Sequence, residues 1–265
     1  MNSRLSVALI AFLVAAPVAL LARADTPSVA IAPTADQATT SKLVHGLLSD
    51  SRYAYRPRQA DDAMSADMFK RYLESLDGNK QFFTAADIAK FDPYRTRFDD
   101  AVRNGDPAVA FAMFSVYRER VEQRVAHARE LLKRNFDFSG SDRWEYDRKD
   151  AAWAADDAAL DELWRKSVMN DWLRLKLAGK EPAEIRKTLD KRYEQIARSV
   201  EQLKSEDVFS LFLNSYTSAI DPHTDYLNPR SAENFNQAMS LSLEGIGAQL
   251  QRQDDVVVIR EIIAG

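Results

Sequence analysis

The sequence contains no cysteine, only three histidines and only eight glycines in 265 residues. Without cysteine there is no disulfide, no thiol nucleophile and no residue to carry a lipid, so stability has to come from core packing. Scarce glycine leaves no phosphate-cradling loop and no Gly-x-Ser-x-Gly elbow. Gly179-Lys180 lacks the upstream glycine and the following Ser or Thr of such a loop, and reads as a helix end. Charge of one sign is missing too. The 36 basic and 40 acidic residues interleave to a net −4, which excludes the basic stripe of a nucleic-acid binder. Beyond the N-terminus no apolar run approaches the roughly 20 residues that cross a bilayer.

What the sequence does have begins at the N-terminus. Arg4 precedes an apolar run from Leu5 to Leu21 that is broken by Ser6 and Pro17, and Ala22-Arg23-Ala24 places small residues where a signal peptidase reads. Residues 1–24 therefore read as a signal peptide cut before Asp25, and the mature chain as a soluble envelope protein without stable membrane insertion. Residues 25–40, with Pro27 and Pro33 and no periodicity, read as a flexible linker.

From Ser41 onward the rhythm is helical. Ser41 is placed as the cap of a first helix, Ser65 as the opening of a second, and Thr84 with Asp87 as a capping box. After Asp106-Pro107, apolar residues recur every three or four positions from Ala110 to Leu132, the stripe of a core-facing helix. Residues 136–153 break that rhythm and carry Trp144, Tyr146 and Trp153, which reads as a structured loop packed by its aromatics. Two further stripes follow, Leu160 to Leu175 and, after Pro182, Ile185 to Leu203. A last long helix is capped by Ser205 and ends near Ile220, since Asp221 precedes a proline.

Past Ser240 the character changes. Gly245 and Gly247 are the first closely spaced glycines, and Asp254-Asp255 reads as a turn before the β-branched run Val256 to Ile259. A Gly-apolar-Gly loop entering a strand can aim successive backbone N–H groups at one carboxylate, and the strand offers an edge for an added peptide. An ordinary strand bend has the same spelling. Among the histidines, His127 reads as a surface side chain and His45 as structural. His223 sits between Asp221 and Asp225, a composition that serves turns and caps more often than metals.

The stretch from Asp221 to Leu250, DPHTDYLNPRSAENFNQAMSLSLEGIGAQL, resembles the tail-specific (C-terminal-processing) proteases where their helical N-terminal domain meets a PDZ domain. FSGSDRWEYDRKDAAW, LAGKEPAEIRKTLDKRYEQI and SEDVFSLF carry the same resemblance upstream. It implies a mostly α fold: a multi-helix domain over 41–229, then the first strands of a truncated PDZ domain over 230–265. It also implies a periplasmic serine endopeptidase that recognises apolar C-terminal tails of envelope proteins, works with a Ser–Lys dyad, needs no cofactor or metal, and can pair with a lipoprotein adaptor. Gly245, Ile246, Gly247 and Ala248 match the family's carboxylate-binding loop. The family's Ser-Ala-Ser-Glu and Gly-Lys-Gly segments do not occur here, and Ser231-Ala232-Glu233 is an echo that reads as a helix cap, so no catalytic residue is assigned. This polypeptide alone is therefore expected to be inactive. Two other readings stand beside this one: a non-catalytic envelope module that docks partners, and a metal-dependent enzyme using His223 with Asp221 and Asp225.

Overall fold

The computed structural model describes residues 31–240, 247–253 and 256–263, the side chain of Arg252 excepted. The predicted signal peptide, the first part of the predicted linker, Gly245, Ile246 and the expected turn at Asp254-Asp255 lie outside the described residues. Among the described residues the chain forms nine α-helices and one two-stranded sheet. The helices are α1 (Ala35–Ser49), α2 (Asp62–Asp77), α3 (Ala85–Phe91), α4 (Phe98–Asn104), α5 (Ala108–Leu131), α6 (Asp157–Leu177), α7 (Pro182–Glu201), α8 (Ser205–Ile220) and α9 (Pro229–Met239). The strands are β1 (Ala248–Gln253) and β2 (Val256–Ile262). The fold is mostly α, as the apolar rhythm predicts.

Local chemistry sets the helix limits. Thr84 and Asp87 form the expected reciprocal capping box at α3. Gly179 adopts a left-handed φ of 78° just past α6, and α8 stops at Asp221 before Pro222. Three starts differ from expectation. The linker does not extend to residue 40: Thr34 and Gln37 form a capping box that starts α1 at Ala35. Ser41 is thus inside the helix, fully buried, its hydroxyl donating to the Val102 carbonyl at 3.0 Å. At α2 the cap is Asp61, whose carboxylate accepts from Met64 N at 2.9 Å, and Ser65 instead accepts from Phe98 N at 2.8 Å. At α8 the free N–H of Lys204 is taken by the Asp207 carboxylate at 2.8 Å, while the Ser205 hydroxyl donates to Ala32 O.

The core is continuous and rich in rings. Phe98 is fully buried between Phe69 (5.7 Å between centroids) and Tyr72 (5.6 Å) of α2 and Phe212 (5.8 Å) of α8. Tyr72, also fully buried, donates to the Ala110 carbonyl of α5 at 2.8 Å, which keeps a phenol in an apolar site without an orphaned O–H. Trp164 of α6 and Tyr193 of α7 meet edge-on at 6.2 Å between ring centroids. Residues 136–156 carry no helix, and their aromatics pin them as expected: Phe136 on Trp172 at 5.4 Å and Trp153 on Phe83 at 6.1 Å.

Charge closes the seams between helices. Arg120 of α5 makes a two-pronged contact with Asp87 of α3, at 2.8 and 3.0 Å, and reaches Asp157 of α6 at 2.8 Å. Burial pushes the Asp87 carboxyl up, but the Arg120 hydrogen bonds, the Thr84 N–H and hydroxyl and the Arg120 charge outweigh it and leave the pKa lowered. The sign then follows. A carboxyl titrating lower when folded stabilises the protein above its unfolded pKa of about 4, and that stability drains away as pH falls through the folded value. Replacing Asp87 by Asn is expected to cost about 2 kcal/mol at pH 7. Urea unfolding of both proteins across pH 2 to 7 should show that difference shrinking as the acid range is entered.

Candidate functional site

The predicted tail-binding segment lies at the end of the described chain. Gly247 has φ of +66°, in the left-handed region that favours glycine, and its carbonyl accepts from Ile263 N at 2.7 Å. A side chain there would place its Cβ 3.3 Å from the Ile263 carbonyl oxygen. Gly247 therefore turns the chain into β1, where Ala248 stands opposite Ile262. Of the four residues assigned to the carboxylate loop, the structure thus describes Gly247 and Ala248.

β1 and β2 are antiparallel, with a register shift between Gln249 and Leu250 that adds one residue, Arg260, to β2. The shift has a consequence for the faces. Val257, Ile259 and Ile262 are spaced two and then three apart, so an unbroken strand would send Ile262 to the opposite face. The bulge returns it, and Leu250, Val257, Ile259 and Ile262 share one side. That side is exposed, at 52 % for Leu250, 64 % for Ile259 and 79 % for Ile262. Among the described residues, β1 has no ladder partner on its other edge.

The connection from the helices to this hairpin is anchored more firmly than its loop composition suggests. Asn214 of α8 accepts from the Tyr226 N–H at 2.6 Å and donates to the Tyr226 carbonyl at 3.1 Å, satisfying both backbone groups of one loop residue. The Tyr226 ring meets Phe209 edge-on at 5.6 Å. Asn228 then caps α9 by accepting from Ser231 N at 2.9 Å. Ser231 is accordingly a donor in the first turn, and the cap is Asn228. Sequence reasoning missed Asn214, Tyr226 and Asn228 as a set, because a polar residue on a helix face does not announce which loop it holds.

The histidine cluster forms a turn. The Asp221 carboxylate accepts from the His223 N–H at 2.8 Å and lies 3.3 Å from the His223 ring, and that backbone bond first, then the ring, lowers its pKa. The His223 side chain is 91 % exposed and Asp225 is exposed. His45 is tied into the helices, its Nδ1 3.2 Å from the Tyr216 hydroxyl; burial first, and then Arg103, lower its pKa. His127 is only half exposed rather than a plain surface group, with Nδ1 3.7 Å from Asp161.

Residues 47–230 match the family described as Tail specific protease N-terminal domain, and the chain belongs to that family. It is 39 % identical over 212 residues to a Tail-specific protease of Haemophilus influenzae, covering 80 % of this chain and 30 % of that relative. It is also 34 % identical over 79 residues, 29 % of this chain and 17 % of the relative, to Carboxy-terminal processing protease CtpA of Bacillus subtilis. The chain thus spans under a third of the length of these curated relatives. No described helix is long and apolar enough to cross a membrane.

Two variants probe this region. Gly247→Val should cost about 1–2 kcal/mol of local stability from the left-handed backbone, read as faster hydrogen exchange at the Ile263 amide with the helices unchanged. Asn214→Ala should cost about 2 kcal/mol in urea unfolding by orphaning both Tyr226 backbone groups, and Asn214→Asp, which keeps the acceptor, should fall between.

Proposed function

We propose that this chain is the N-terminal part of a periplasmic serine endopeptidase that recognises apolar C-terminal tails. The helical domain is the platform, and the hairpin is the start of a tail-binding PDZ domain. One observation supports this most: after a domain of this family, Gly247 turns left-handed into a strand whose second edge has no ladder partner among the described residues. A tail would add to β1 through main-chain hydrogen bonds, and its carboxylate would sit at the N–H groups of residues 245–248.

Cleavage in such an enzyme is acyl transfer to a serine activated by lysine. No Ser-Ala-Ser-Glu or Gly-Lys-Gly segment occurs in the 265 residues, and no cleavage by this polypeptide on its own is expected. The Ser and Lys side chains it does have are assigned no part in the chemistry. The apolar hairpin face is an inner face awaiting a second layer.

One feature favours the docking-module reading as a second possibility. Helix α1 buries Gln37 and Ser41 and turns Leu43 and Leu47 outward, at 62 % and 51 % exposed, a stripe suited to an apolar helix of an adaptor.

Titration of the purified chain with a ten-residue peptide ending in apolar residues separates these readings. The tail-binding reading expects saturable binding that is lost when the peptide is amidated, with no peptide cleaved on prolonged incubation. Equal binding of acid and amide, or turnover by the chain, contradicts it.

A further inference from the structure

The segment from Asp142 to Ala154 lies outside the helical rhythm and far from the hairpin in sequence, yet it is held at both ends. Arg165 of α6 binds Asp142 at 2.7 Å, and the Tyr146 hydroxyl donates to Asn170 Oδ1 at 3.0 Å. At the far end Ala85 N donates to the Ala154 carbonyl at 2.8 Å and the Lys80 ammonium to Ala151 O at 2.5 Å. Between these anchors and α6 is a cavity of about 670 Å³, lined by Arg143, Trp144 and Arg148 of the segment and Leu163 and Lys166 of α6.

Arg148 is unusual in its surroundings. Its side chain is 14 % exposed, and among the described residues its Nε is buried without a hydrogen-bond partner and its one ion pair, to the exposed Glu145, is stretched to 4.0 Å. Its charge does act on the buried Asp77, but the oxygens of Asp77 are taken by the N–H groups of Gln81, Phe82 and Phe83 at 2.7, 2.8 and 2.9 Å. A guanidinium withdrawn from water with its donors under-used costs stability that an arriving anion would restore. Arg143 has no partner among the described residues.

The rest of the lining selects the anion. Glu145 and Glu162 offset two of the three cations, leaving one net positive charge, which suits a monoanion better than a phosphate dianion. The planar fork of an arginine matches a carboxylate. Trp144, Leu163, Ala154 and Ala159 present apolar surface beside it, so the group next to the carboxylate should be apolar. We propose that this cavity is a second anion site, in which Arg148 and Arg143 hold a carboxylate and Trp144 and Leu163 receive the apolar group attached to it. The end of a peptide with an apolar last residue has this chemistry, as does a free N-acylated apolar amino acid. The site stands independently of the Gly247 turn.

The test follows tryptophan fluorescence of the full chain during titration with N-acetyl-leucine, with an acetylated tripeptide ending in leucine, and with the same tripeptide amidated. Saturable change is expected with the two acids, absent with the amide and absent in Trp144→Phe. Tighter binding of the tripeptide supports the site and identifies a chain end as the ligand, and equal binding supports it with the free acid. Arg148→Gln and the exposed Arg143→Gln should each weaken binding by at least about tenfold, the second guarding against a folding defect in the first. The signal is read from Trp144, which lines this cavity and no part of the hairpin, so failure here is distinct from failure at the hairpin. Amide binding as tight as acid binding, no saturable change, or indifference to both arginine variants would overturn the proposal.

Discussion

Phe98 is where the helical domain is fastened. It is the first residue of α4, its ring fills the space between α2 and α8, and its N–H is spoken for by the Ser65 hydroxyl. Truncating such a ring to alanine typically costs about 3–5 kcal/mol, a large share of the stability of any single domain. The consequences run outward from it. With α2 and α8 set against each other, Tyr72 reaches α5, α5 presents Arg120 to α3 and α6, and α8 presents Asn214 and Phe209 to the loop that leads to α9. The start of the segment that carries the hairpin is thus positioned by the domain core rather than by its own short length.

Much of this was legible in the residue order, and the reasons are local. Apolar residues at spacings of three and four in α5, α6, α7 and α8 mark faces that are in fact buried, because those helices meet the core along a single apolar stripe. Thr84 with Asp87 marks a cap because both bonds of the box close within four residues. Helix α1 defeats that logic. Its buried residues are Gln37 and Ser41, satisfied by Glu206 and by the Val102 carbonyl, while Leu43 and Leu47 face outward. A pattern that equates apolar with inside finds a helix here but starts it at Ser41 and turns Leu43 and Leu47 the wrong way, although Thr34-Ala-Asp-Gln37 spells its capping box. The clamp of Asn214 on Tyr226, the fork of Arg120 on Asp87 and the cavity around Arg148 were illegible for a different reason. Each depends on which side chains meet across the fold, and no spacing within one element encodes that.

The hairpin was half legible. The β-branched run and the glycines announce two strands, but the residue added at Arg260 appears only in the register, and it gathers Ile262 onto the side of Ile259 and Leu250. An apolar side left open on two strands is a poor structure for a free-standing module and a reasonable one for the first layer of a larger domain. The family match ends at residue 230, ahead of this hairpin, and the chain spans under a third of the length of the curated relatives.

The central claim is that a C-terminal tail adds to β1. Amide hydrogen exchange along the chain, with and without a saturating free-acid tail peptide, measures it most directly. Strand addition by a tail predicts slower exchange at residues 248–253 with the free acid, no such change with the amide, and unchanged exchange in α2, α5 and α8. Residues 248–253 exchanging at the same rate with and without the free-acid peptide would contradict it.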